Sequence, residues 1–180
     1  MRCLWELVPC APAWGLAVEE ALLESVMRTG EPIVRAWVND AAVVIGRSQC
    51  AHAEVDFETA QLHGLPIIRR ISGGGAVLHY QGNLNLSLFA RAGPASDVQA
   101  VFRRFGGQLA EALSEPGRVL RSVGNGLYAD ARKVGGAAQA RRKAALLYHT
   151  TLMLEPTRLP MERLLRALQP GYATATVASI

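Results

Sequence analysis

The sequence predicts an α+β domain with a mixed, largely antiparallel sheet and flanking helices. Three observations point there. Short β-branched or alternating runs outnumber the segments with helical spacing. Most of the connections between them are short enough for hairpins, and the helical segments are interspersed rather than grouped. No internal repeat or linker divides the chain. Its 180 residues, 50% of them hydrophobic and 19% charged, read as one domain over 1–180 with a real core.

Residues 14–28 are expected to form a helix, with Trp14, Val18, Ala21, Leu22 and Val26 as its apolar stripe. Glu19, Glu20 and Glu24 fall off that stripe, and Gly30 is a stop. Residues 33–38 and 42–45 read as strands joined by a turn at Asn39-Asp40. A short helix follows over 56–64, capped by Asp56 and ended by Gly64. Residues 66–71, 76–80 and 84–90 are strands. In the last, Leu84, Leu86 and Leu88 form the apolar face, with Asn85, Ser87 and Phe89 opposite. Ser96 can cap a helix striped by Val98, Val101, Phe102, Phe105, Leu109 and Leu113. Gly106-Gly107 inside it, at about 1 kcal/mol each, calls for a packing reason. Strands are expected at 118–121, 126–129, 133–139 and 145–154, then a short helix at 160–168 beginning at Pro160.

A net charge of +4 suits an anionic ligand or acidic partner and falls short of a nucleic-acid footprint. Cys3, Cys10 and Cys50 have no metal or redox spacing, which fits a reducing, cytoplasmic setting. Acidic residues interrupt the apolar stretches near the N-terminus, against a signal peptide, and no run reaches the roughly 18 apolar residues of a membrane span.

The stretch most in need of explanation is "RRISGGGAVLH", where three glycines precede a strand. A tight bend would account for them. Their company adds a second reading, because Arg69, Arg70, Ser72 and His79 surround a turn whose backbone N–H groups could hold a carboxylate or phosphate. It is neither a P-loop nor a dinucleotide fingerprint. Lys133, ahead of Gly135-Gly136, is an ordinary surface charge or a cation placed where a ligand can approach the backbone. His149 is a core histidine or a ligand group. No histidines or carboxylates have metal-ligand spacing, and there is no serine-nucleophile elbow.

The residues "VVIGRSQ", "RRISGGGAVLHYQGNLNLS", "ARKVGGAAQ" and "LLYHTTLML" occur in that order. They resemble the motifs of the lipoate–protein ligase A family over roughly 14–180. The resemblance implies a fold shared with biotin–protein ligases and class II aminoacyl-tRNA synthetases. It implies an enzyme that uses ATP, with Mg²⁺, to convert lipoate or octanoate to an acyl-adenylate. The acyl group then passes to a lysine of a lipoyl carrier domain, on 2-oxoacid dehydrogenase acyltransferase subunits or the glycine cleavage H protein. Lys133 matches the family's key lysine at the carboxylate and α-phosphate. Arg69, Arg70, Ser72, Gly73, Gly74, Gly75, Ala76, His79, Asn83, Asn125, Gly135, Ala137 and His149 fall on its binding motifs, with no protein metal ligand identified. No nucleic acid or membrane partner is expected.

Four positions depart from the pattern. Tyr80 and Gly126 stand where the family has aspartates, Thr150 replaces a glycine and Ala140 an arginine. The loss of two carboxylates weighs against metal-assisted ATP use. The chain also reads as short at its C-terminus and without an accessory domain, which some relatives keep as a separate polypeptide. A carrier-to-carrier octanoyl or lipoyl transferase, working through a cysteine thioester, is the alternative enzyme. A non-catalytic lipoate- or carrier-binding paralogue, and a biotin enzyme, are further alternatives.

Overall fold

A computed structural model describes residues 1–92 and 97–169. Two sheets carry the fold. The larger has seven strands in the order β1-β2-β6-β10-β9-β8-β7. These are β1 (Arg2–Cys10), β2 (Ile33–Asn39), β6 (Asn83–Arg91), β7 (Leu120–Val123), β8 (Gly126–Ala129), β9 (Arg132–Arg142) and β10 (Ala145–Met153). Only β1 and β2 pair in parallel; the other neighbours are antiparallel. The smaller sheet is β4-β3-β5, made of β3 (Ala42–Ile45), β4 (Ile67–Arg69) and β5 (Val77–His79). The α+β, largely antiparallel reading holds.

Several elements differ from expectation. β1 had no sequence signal: Trp5, Leu7 and Val8 are exposed, and an edge strand with little burial shows no clean alternation. β2 and β3 are not a hairpin; after Asn39 the chain switches sheets, and Asp40 N–H donates to the Cys10 carbonyl (2.9 Å).

Helix α1 (Pro12–Thr29) begins at Pro12 and ends at Gly30 in the left-handed conformation. Its buried stripe is Gly15, Leu16, Glu19, Leu23 and Val26, while Trp14 is 66% exposed. The stripe is rotated from the expected one because a carboxylate, Glu19, is on the inside. β6 also reverses the simple reading. Its polar face, Asn83, Asn85 and Ser87, is fully buried with Phe89, and the leucine face is partly buried against helices.

Helices α2 (Ala51–Glu54), α3 (Phe57–Leu62) and α6 (Met161–Leu164) cover the smaller sheet around Val43, Ile45, Leu78 and Leu164. Asp56 caps α3 as expected, accepting from Thr59 N–H at 2.8 Å. The expected 160–168 helix is α6 plus a 3₁₀ turn over Arg166–Leu168, broken where Leu165 bridges Val55. The helix after residue 97 runs α4 (Val98–Val101), a π-helical stretch (Phe102–Gly106) and α5 (Gly107–Ala112). Ser96 lies outside the described residues; Asp97 accepts from Gln99 and Ala100 N–H. Gly106 has its packing reason, since a Cβ there would stand 2.3 Å from Ser122 Oγ, whereas Gly107 meets nothing.

The larger sheet is thus sandwiched. The α4–α5 helix covers its Leu146, Tyr148 and Leu152 face. α1 and the smaller sheet cover the other, through Phe89 and Leu147 at one end and Trp37, Ala42 and Val44 at the other.

Candidate active site

Registers across the sheet build the site floor, because directly paired residues point to one face. One row runs Ala138, His149, Ser87, Arg35; the next runs Gly136, Thr151, Asn85, Trp37. Small residues on β9 leave a hollow, and the rim facing it is the glycine turn and β5. The result is an open cleft with about 630 Å³ of empty space, part of it continuous with solvent.

The turn's geometry explains the glycine triplet. Gly74 has φ +89°, a conformation costly for other residues, and its position faces the Ala138 methyl at 3.7 Å. Cβ atoms at Gly73 and Gly75 would meet nothing within 4 Å, so the turn borders open space. Gly46 must also be glycine, since a Cβ there would lie 2.1 Å from the Gly74 carbonyl.

The two arginines have separate tasks. Arg69 turns away from the cleft and donates from Nη1 to the carbonyls of Gly46, Arg47 and Gln49 at 2.7–3.0 Å. Arg70 is buried and lines the cleft. It donates to Ser72 Oγ (2.9 Å) and to the carbonyls of Gly73 (2.6 Å) and Gly75 (2.8 Å), bracing the turn. Burial lowers its pKa to about 10, which leaves it charged at neutral pH.

Beneath the turn is a buried polar chain. Trp37 Nε1 donates to Ser87 Oγ (2.9 Å), and Ser87 donates to Glu19 Oε1 (2.5 Å). His149 Nδ1 is 3.0 Å from both Glu19 oxygens, and its Nε2 is 2.7 Å from Ser72 Oγ. Burial pushes the Glu19 carboxyl up, but His149, Ser87 and Arg35 together outweigh it and hold the group below its ordinary value. Beside this chain, Asn39 Nδ2 donates to His79 Nδ1 (2.9 Å), leaving the ring proton on Nε2. Burial pushes His79 down to about 3, so it is neutral.

Lys133 reaches the cleft through a bulge. β8 and β9 pair Gly126 with Gly136, then Tyr128 with Lys133, so Val134 is the extra residue. Val134 packs with Leu127 and Leu109 under the sheet, and Lys133 is turned to the same face as Gly136. Its Nζ lies 3.8 Å from where a Gly136 Cβ would be. Arg132, one residue before it, faces the other way.

Of the residues singled out in the sequence, Arg70, Gly74, Gly75, Ala76, His79, Asn125, Lys133, Ala137 and His149 line the cleft. Arg69, Ser72, Gly73, Asn83 and Gly135 do not; Ser72 and Arg69 act behind the lining. Gly135 has a structural reason, since a Cβ would lie 2.3 Å from the Thr151 carbonyl. Asn83 is buried, with its Oδ1 unpartnered. Glu19, Trp37 and Asn85 were missed. For Trp37 and Asn85 the signal was available in the strand alternation; for Glu19 it was not.

Two of the departures resolve differently. Tyr80 belongs to the core of the smaller sheet, donating to the Glu155 carbonyl (2.6 Å), away from the cleft. Gly126 lies under the Tyr128 ring, whose Cε2 is 2.6 Å from a Cβ position there, so an aspartate would require Tyr128 to swing aside.

Residues 11–180 match the family described as "Lipoyl protein ligase A/B catalytic domain". The chain is 38% identical over 152 residues to an Aeropyrum pernix protein named for lipoate-protein ligase A, spanning 83% of this chain and 57% of that one. The bipartite lipoate protein ligase of Thermoplasma acidophilum, solved in a study that includes its E2 lipoyl domain, superposes with a TM-score of 0.83. It is 30% identical, over 91% of this chain and 65% of that one. A lipoate-protein ligase A solved with ATP gives 0.78 at 29% identity, over 92% of this chain and 72% of that one. Other relatives are named lipoyl amidotransferase or octanoyltransferase. The chain spans about half the length of the first curated relatives it matches. It belongs to the lipoyl protein ligase A/B catalytic domain family.

Proposed function

We propose that this chain is the catalytic part of a lipoate–protein ligase. In the proposed reaction a carboxylate oxygen of lipoate or octanoate attacks the α-phosphorus of ATP, and the bond to pyrophosphate breaks. The ε-amino group of a carrier-domain lysine then attacks the acyl carbonyl, loses its proton, and AMP leaves.

The observation that carries this reading is the pairing of an open cleft with the Lys133 ammonium beside it. Lys133 stands over the bare backbone of Gly136, across from the open space beside Gly73 and Gly75. A cation fixed where phosphate charge develops stabilises the transition state more than the ground state. Leu16, Trp37 and Val77 give the cleft an apolar wall suited to an acyl chain. The exposed turn backbone suits its carboxylate end. Among the described residues no cluster of three His, Cys, Asp or Glu side chains could hold a metal. No step is assigned to Mg²⁺.

The proposed carrier partner is a lipoyl domain, and the proposed second partner is a separate accessory chain; what supports both is the likeness to a bipartite archaeal lipoate protein ligase solved in a study that includes its E2 lipoyl domain. The C-terminal end that reads as short falls at residues 170–180, which lie outside the described residues. No helix among the described residues is long and apolar enough to cross a membrane.

The test is ATP–pyrophosphate exchange with lipoate, octanoate and biotin, then transfer to a lipoyl domain, with and without a candidate accessory chain. Exchange dependent on lipoate or octanoate, and absent with biotin, is expected. None of the three cysteines lines the cleft. A thioester trapped on Cys50 after incubation with octanoyl carrier would therefore replace this reading with the transferase. Tight lipoyl-adenylate binding without exchange or transfer would replace it with a binding module.

A further inference from the structure

The cleft face of the sheet continues past β9 onto β8, where the sequence motifs reach only Gly126, and β7, which they leave unassigned. Arg121, Tyr128 and Lys133 are successive cross-strand partners on β7, β8 and β9. They therefore share one face. The neighbouring row is Val123, Gly126 and Gly136, and it runs on into Thr151, Asn85 and Trp37 of the cleft floor. Its two glycines leave the sheet bare. Tyr128 folds over one, its hydroxyl oxygen 3.1 Å from the Gly126 Cβ position, and Lys133 bends over the other.

The three side chains have spare hydrogen-bonding capacity. Arg121 donates once, from Nη2 to the Asp130 carbonyl (3.1 Å), in an exposed setting. The ion pairs among the described residues include neither Arg121 nor Lys133. Two cations outside the ion pairs flank a phenol on one face, in the row beside the bare backbone of Gly126 and Gly136; Arg121 leans toward the β8–β9 turn and would swing from the Asp130 carbonyl to meet an extended anion. Strands lie about 4.8 Å apart, so β7 and β9 are separated by about 10 Å, a gap both long side chains can close around a diphosphate.

We propose that Arg121 and Tyr128 form, with Lys133, a subsite for the terminal phosphates of a nucleoside triphosphate, the part released as pyrophosphate. Lys133 serves the α-phosphate side of this row, Tyr128 donates its hydroxyl to a bridging or β-phosphate oxygen, and Arg121 holds the far end. The assignment rests on the ATP-dependent reading above, but its binding test is independent of turnover.

The experiment is calorimetry with inorganic pyrophosphate, ATP, AMP and lipoate on wild type, Arg121→Ala, Arg121→Lys and Tyr128→Phe, with melting curves to confirm folding. Arg121→Ala should weaken pyrophosphate and ATP about tenfold, as for one charge-assisted contact, and leave AMP and lipoate within about twofold. Arg121→Lys should recover part of the loss, and Tyr128→Phe should cost about threefold. Unchanged pyrophosphate affinity in both Arg121→Ala and Tyr128→Phe overturns the subsite, as does an equal loss for AMP and ATP, or no pyrophosphate binding by wild type. A wild type without lipoate-dependent exchange that binds pyrophosphate through Arg121 sinks the ligase reading and leaves the subsite standing. Normal exchange with a silent Arg121→Ala does the reverse.

Discussion

Replacing Glu19 by glutamine tests the buried chain under the glycine turn with almost no change in volume. With His149 assigned as the neutral Nδ1–H tautomer, Ser72 Oγ accepts from Arg70 Nε and donates to His149 Nε2, while His149 Nδ1–H and the Ser87 hydroxyl both end on Glu19. A glutamine oxygen can still accept from Ser87. Its NH₂ then faces His149 Nδ1, which must become an acceptor. The ring proton moves to Nε2 and points at Ser72 Oγ, and the Ser72 hydroxyl, 1% exposed, loses its acceptor. Leaving one buried donor unmade costs about 1–3 kcal/mol. Relief of a buried charge does not cancel this, because the net shift of Glu19 is downward and the fold favours its ionised form. For a domain of this size the loss corresponds to a melting temperature lower by about 2–12 °C. Calorimetry gives the temperature, and ¹⁵N imidazole spectra give the His149 tautomer. A variant that melts within a degree of wild type with the tautomer unchanged would refute the proton assignment and the bracing role built on it.

Three further outcomes are expected. His79, neutral in the fold down to about pH 3 but free to protonate when unfolded, contributes stability that is full above pH 6.5 and falls as pH drops below it. Between pH 6.5 and 5 the loss is about 2 kcal/mol by this group, and urea titrations of His79→Gln should show a flatter acid limb. Lys133→Ala should slow lipoyl-adenylate formation about 10²–10³-fold without lowering the melting temperature, and Lys133→Arg should not rescue it; near-normal exchange in a folded Lys133→Ala protein removes the lysine from the mechanism. Gly74→Val, strained at φ +89°, should displace the turn and abolish lipoyl-adenylate binding by calorimetry with modest loss of fold; unchanged affinity would reduce the turn to a bend.

What the sequence revealed depended on how local the cause was. Asp56 capping α3, the Gly30 stop and the strands on either side of the glycine turn are set within a few residues, and all were legible. Glu19 was not, because what makes it an inside residue is Ser87 on β6 and His149 on β10, 68 and 130 positions away. Helical periodicity reads a glutamate as solvent-facing, and only tertiary partners can reverse that. The same limit applied to β6, where buried amide and hydroxyl side chains mimic an exposed face. The motif located Lys133, but plain alternation from Gly136 would aim it under the sheet, and the bulge at Val134 corrects the aim.

The link between Glu19 and His149 also constrains when during folding the site can exist. It joins the first helix to the last strand of the larger sheet, a closure among the longest the described chain can make. Such contacts form late, after the loop entropy between them has been overcome. Until β10 docks, α1 cannot bury its carboxylate without leaving a charge uncompensated, so partly assembled forms are penalised rather than trapped. Ligand affinity in this protein should therefore appear in the final kinetic phase of refolding, together with the global transition and not ahead of it.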